Sequence, residues 1–170
     1  GQQDYVHGVC ALGDKVFLLG STTGKMEGEI SGGGFIMKID VDTLNILWKR
    51  QFVGQGVEAM KCTGALDFIY VGGYVPAGVL LDDQTRNGMV SNDQDIFAAL
   101  LSAETGDVQW TRQIDSRRED LLTDLIINQL GDLMLTGNAA DFDAGISDLY
   151  ILSLVRQNGF HDWQELSPDA

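Results

Sequence analysis

No stretch of this 170-residue chain carries 18 consecutive apolar residues, so it offers no membrane-spanning helix. Positive charge is scarce as well. Lys and Arg number 11 against 25 Asp and Glu, a formal net charge of −14. Such a surface repels phosphate backbones and anionic headgroups, which argues against nucleic acid and acidic membranes as partners. The acidity fits simple solubility, and also an extracytoplasmic or organelle-lumenal setting. His7 and His161 are the two histidines, and neither has a catalytic or metal-ligating neighbour nearby in sequence. Proline occurs twice and glycine 21 times, the balance expected of a chain built from many tight turns. Apolar residues make up 44%, enough for a sizeable core.

What the chain does contain is a pattern used more than once. "TLNILWKRQ" (43–51) and "TGDVQWTRQ" (105–113) share Thr, Trp, Arg and Gln at the same offsets, and "NGFHDWQ" (158–164) is a degraded third copy. All three tryptophans, Trp48, Trp110 and Trp163, therefore occupy one repeat position, spaced by 62 and 53 residues. Upstream, "GGFIMKID", "DIFAALLS" and "DLYILSLV" align Phe35, Phe97 and Tyr150. Further upstream, "KVFLLG", "FIYVGG" and "DLMLTG" align Gly20, Gly72 and Gly137, preceded by "YVHGVCAL", "VEAMKCTG" and "LTDLIINQ". Each unit holds four short runs rich in Val, Ile, Leu and aromatics, separated by turn formers, which reads as four strands. Residues 120–130 could pass locally for a helix, but the alignment makes them a strand. Three four-stranded units predict an all-β fold of three propeller blades, at 4–52, 53–114 and 115–164, with a tail at 165–170.

The pattern Asp, two residues, Thr, Gly, three residues, Trp resembles the tryptophan-docking motif of quinoprotein-type (PQQ-like) propellers. Asp40, Thr43 and Trp48 match it in the first unit, with Leu44 in place of Gly. Thr105, Gly106 and Trp110 match in the second, with Ser102 in place of Asp, and the third keeps Gly159 and Trp163. The flanking "DxF/Y" and "RQ" also resemble the propeller repeats called SBBP. The resemblance implies architecture more than activity, because such repeats serve enzymes, scaffolds and adhesins alike. A tryptophan that recurs at one position is expected to act as a structural wedge between blades, its N–H bonded to a backbone carbonyl. Arg50 and Arg112, at equal offsets, are expected to cap blade edges or pair with acids.

Three blades do not make a ring, since closed propellers use roughly four to eight. The end blades then present apolar flanks, and the expected partners are further segments of the same polypeptide, a second copy giving six blades, or another subunit. With Gly20 and Gly72 aligned, Cys10 and Cys62 fall at one repeat position. They would point the same way, which predicts two buried free thiols and no disulfide.

Function is expected where the units differ. The 73–94 connection is the longest, and its Val79, Leu80 and Leu81 are candidates for partner contact, as is the basic pair Arg117 and Arg118 in "DSRREDL". "DFDAGISD" sets Asp141, Asp143 and Asp148 around Gly145, a candidate calcium loop without the full DxDxDG spacing, and "NDQD" (Asn92, Asp93, Asp95) is a weaker one. No other cofactor is indicated. The leading expectation is a non-catalytic propeller segment acting as an interaction scaffold. The alternative is part of a quinoprotein-type dehydrogenase, or a carbohydrate-binding propeller.

Overall fold

A computed structural model describes residues 3–26, 32–81, 92–141 and 145–159, and the backbone alone of 161–166. The described residues are all β, in three antiparallel sheets of four strands, each in chain order. Sheet one holds β1 (Asp4–Leu12), β2 (Lys15–Thr22), β3 (Gly33–Ile39) and β4 (Ile46–Val53). Sheet two holds β5 (Glu58–Ala65), β6 (Phe68–Val75), β7 (Asp95–Ser102) and β8 (Val108–Ile114). Sheet three holds β9 (Glu119–Ile127), β10 (Leu133–Asp141), β11 (Ile146–Leu154) and β12 (His161–Leu166). The stretch with helical appearance is β9. A bulge between Leu122 and Asp124 puts Leu122 and Leu125 on the same face, and both lie against Gly72. A three-residue apolar spacing in a bulged strand thus imitates a helix.

One local arrangement occurs in all three sheets. The first strand bulges, opposite a glycine near the end of the second strand: at Val6/Gly8, Ala59/Lys61 and Leu122/Asp124. That glycine pairs with an aromatic of the third strand: Gly20 with Phe35, Gly73 with Phe97, Gly137 with Tyr150. The far end of the ring lies against the glycine. A Cβ there would sit 2.6, 2.7 and 2.5 Å from the ring in the three sheets.

This register corrects the alignment by one residue, since Gly73 and not Gly72 is the counterpart of Gly20. The correction overturns the expectation of free thiols. Cys10 pairs with Phe17 and Cys62 with Val71. By the corrected count Phe17 corresponds to Tyr70, so the two cysteines are one position apart in their units. A one-residue step in a strand reverses the face. Cys10 therefore looks toward sheet two and Cys62 toward sheet one, and they form a disulfide with Cα atoms 5.9 Å apart.

Two cores join the sheets. Between sheets one and two lie Phe17, Leu19, Ile36, Phe52, Ile69, Val71, Phe97, Ala99 and Leu101. Between sheets two and three lie Tyr70, Ile96, Ala98, Leu100, Trp110, Leu133, Leu135, Leu152 and Leu154. Sheet two is thus buried on both faces, and the β7 run DIFAALL is buried at every residue.

A polar lock reinforces each joint. The Trp48 ring lies on Gly106 of the β7–β8 turn, 2.7 Å from where a Cβ would stand, and Nε1 donates to Ala103 O at 3.3 Å. Arg50 donates to Gly106 O at 2.7 Å and to Asp107 at 2.9 Å. At the next joint Trp110 lies on Gly159 and donates to Arg156 O at 2.8 Å, while Arg112 donates to Asn158 O. Both glycines have positive φ, 74° and 65°, which a flat turn under an indole requires. Gln51 and Gln113, the last residues of the recurring pattern, serve their own sheets. Gln51 bonds Gly24 O and Met26 N, and Gln113 bonds Val79 O and Leu81 N, so each clamps the connection between second and third strands.

Candidate functional site

The two joints end on the same rim of their sheets, at the starts of the first and third strands, and there they differ. Between sheets one and two the rim opens into a cleft of about 280 Å³ lined by Tyr5, Ser21, Thr22, Thr23, Gly32, Gln55, Gly56, Val57 and Glu58. Ser21 and Thr22 close β2 and are buried despite their hydroxyls. His7, the bulged residue of β1, stands behind Ser21 with Nε2 at 2.8 Å from Oγ, and 3.9 Å from Glu58 Oε2. The expectation that His7 lacks partners held only along the sequence, because its partners come from β2 and β5. A nucleophilic relay would set the carboxylate on Nδ1, opposite the serine. Here both contacts fall on Nε2, so the trio forms a polar wall. The Tyr5 ring, about half exposed, runs nearly parallel to the His7 ring, with centroids 6.4 Å apart.

Between sheets two and three the same rim is closed and acidic. Asp95 begins β7, Asp120 lies in β9 and Asp115 lies in the connector, and their carboxylate oxygens lie within 4.8 Å of one another. Asp95 and Asp120 are fully buried. Asp95 accepts from Gln113 Nε2 at 2.5 Å. Asp120 accepts from Ser116 N at 2.9 Å and Ser116 Oγ at 2.6 Å. Its backbone N–H donates to Gln94 O, and Gln94 Nε2 donates back to Asp120 O, so β9 is pinned to the start of β7. Burial is the main cause that pushes the Asp120 carboxyl up to about 7; the Ser116 hydrogen bonds oppose it, and Asp95 and Asp115 add to it. At neutral pH Asp120 is therefore poised between its protonated and charged forms. The sequence showed its parts separately, Asp95 in "NDQD" and Asp115 and Asp120 in "DSRREDL"; only the joining of two sheets brings them together.

The residues singled out from sequence find different surroundings. Trp110 is buried and Trp48 half-buried, while the side chain of Trp163 lies outside the described residues. Leu81 is wholly inside the first core, Val79 packs against that core and Leu80 is half-buried. Leu81 is therefore not displayed on the surface, and Gln113 holds residues 79–81 to sheet two. Arg117 is exposed, at φ 67°. Arg118 forms an ion pair with Asp148, which joins two residues assigned to separate candidate sites. Of the calcium candidates, Asp143 lies outside the described residues, and Asp148 meets a guanidinium. No family model and no curated protein matches the chain.

Proposed function

We propose that the three sheets are consecutive blades of a β-propeller, and that the chain is a non-catalytic scaffold segment whose end sheets pack against further protein. The observation that carries the architecture is the lock, made twice in the same sense: Trp and Arg of one sheet seat on the glycine turn of the next. The glycine–aromatic pair beside a bulge, present in all three sheets, supports one repeated unit. On this reading the quinoprotein-type and SBBP resemblance describes how the units join.

The scaffold role rests on the two outer faces. Val9 (65% exposed) and Ile46 (52%) lie on the face of sheet one turned away from sheet two. Ile126 (60%) and Leu149 (52%) lie on the corresponding face of sheet three. Inner positions of the same strands are packed by a neighbouring sheet, so the outer ones are matched to further sheets. The Cys10–Cys62 disulfide fits an oxidising, extracytoplasmic compartment.

Sedimentation velocity of the 170-residue chain over roughly 1–100 μM, a range that reports micromolar association, tests the reading. Concentration-dependent association is expected, weakened by Val9→Lys and by Ile126→Lys. A compact monomer across the range, with both variants unchanged, overturns it.

A further inference from the structure

We infer that the cleft between sheets one and two is a binding site for a neutral, monosaccharide-sized sugar. It needs only the joint of sheets one and two, so it stands or falls apart from the scaffold reading.

The size of the cleft, about 280 Å³, lies at the lower end of small-molecule sites, suited to one ring and not to an extended ligand. Its lining combines an aromatic face with convergent hydroxyl, amide and carboxylate groups. The Tyr5 ring is half exposed and is tethered at its rim, where the hydroxyl donates to Gln3 Oε1 at 3.2 Å. The negative face of such a ring attracts the polarised C–H groups on the flat side of a pyranose. Beside the Tyr5 ring, on the same face of sheet one, stands its cross-strand partner Ser21, while Thr22, next along β2, turns to the other face. The Ser21 hydroxyl offers one donor and two acceptor positions, which its bond with His7 Nε2 uses only in part. The Gln55 amide and the Glu58 carboxylate supply the acceptor-rich edge that vicinal hydroxyls require.

Charge decides between a sugar and a cation. The chain is strongly acidic, and an aromatic ring beside a carboxylate could also hold an amine. Glu58, however, already faces His7, and every other side chain of the lining is uncharged. An uncharged ligand with many hydroxyls matches that wall better than an ammonium. His7 acts here as a positioning residue that fixes the Ser21 hydroxyl and does not touch the ligand.

Saturation-transfer NMR on the full chain tests the site, with D-glucose, D-galactose, D-mannose and N-acetyl-D-glucosamine as probes and choline as the cationic control. At least one sugar should receive saturation at its ring C–H protons. Tyr5→Ala and Glu58→Gln should each weaken that binding about ten-fold, the size of one lost contact. Glu58→Gln is nearly isosteric and keeps the test decisive if Tyr5→Ala disturbs β1. The inference is overturned if none of the four sugars is saturated, if both variants bind like the parent, or if choline binds and no sugar does.

Discussion

Replacing Asp120 with Asn should remove a pH dependence that the second joint imposes on the whole chain. Asp120 is fully buried, about 4.8 Å or less from Asp95 and Asp115, and its carboxyl is pushed from 3.8 up to about 7. The folded state therefore holds a proton that the unfolded state has already released. Its stabilising effect is complete below the unfolded value and is lost as pH rises toward 7. At 1.36 kcal/mol per tenfold change the full loss is about 4 kcal/mol, and about 2.5 kcal/mol of it falls between pH 5 and pH 8. Other shifted groups are silent in that window. Hydrogen bonds from Thr43, Lys38 and Thr105 lower Asp40, Glu104 and Asp107 respectively, so those carboxylates lose their contribution only in acid. Burial raises Tyr70, Tyr74 and Tyr150, which act only in base. Urea unfolding at pH 5, 6, 7 and 8 reads the effect, with parent and Asp120→Asn compared at each pH. The parent midpoint should fall relative to the variant by roughly 1 M if m is about 2 kcal/mol/M. Asn keeps one of the two acceptors that Ser116 uses and carries no charge, so the variant should be the more stable protein at pH 8. If the two profiles run parallel from pH 5 to pH 8, the proton at this joint is not what the geometry implies.

Three further outcomes are expected. Reducing the Cys10–Cys62 disulfide, which closes a separation of 52 residues, should cost about 4 kcal/mol by chain entropy, read as a lower urea midpoint in dithiothreitol. Gly106→Ala should destabilise by about 2–3 kcal/mol, because the turn has φ 74° and the new Cβ would stand 2.7 Å from the Trp48 ring; quenched or shifted Trp emission before global unfolding would locate the damage. Chelation should leave the melting temperature unchanged, since Asp148 already pairs with Arg118, whereas a fall on adding EDTA would restore the calcium reading of residues 141–148.

The strands and their order could be read from the sequence because the apolar runs and turn formers are local signals. Register could not, and its one-residue error had a chemical consequence. Two adjacent glycines, Gly72 and Gly73, offered two alignments, and only the partner strand decides between them: Gly73 faces Phe97. The wrong choice turned Cys62 to the wrong face and so replaced a disulfide with two thiols. The expected exposure of Leu81 failed for a similar reason, since it is wholly buried. Hydrophobicity in a long connection says that a surface will be covered, not by what. The covering agent was Gln113, whose amide bonds Leu81 N and Val79 O from 32 and 34 residues away.

Both rim features depend on pairings across sheets, and no spacing along the chain encodes them. Ser21, His7 and Glu58 come from three strands, and His7 reaches Ser21 because a bulge turns it there. Each joint is made by the same lock at the opposite ends of the strands, so the rim itself is free to vary without loosening the sheets. At the first joint that freedom yields an open cleft with an aromatic wall. At the second, Tyr74 occupies the place of Ser21, opposite Glu58 as Ser21 is opposite Tyr5, and its hydroxyl donates to Leu122 O at 3.0 Å, which closes the gap. Behind that closure Asp95 and Asp120 lose their water. One small residue against one large one at the end of the second strand thus separates a joint able to admit a ligand from a joint that senses pH.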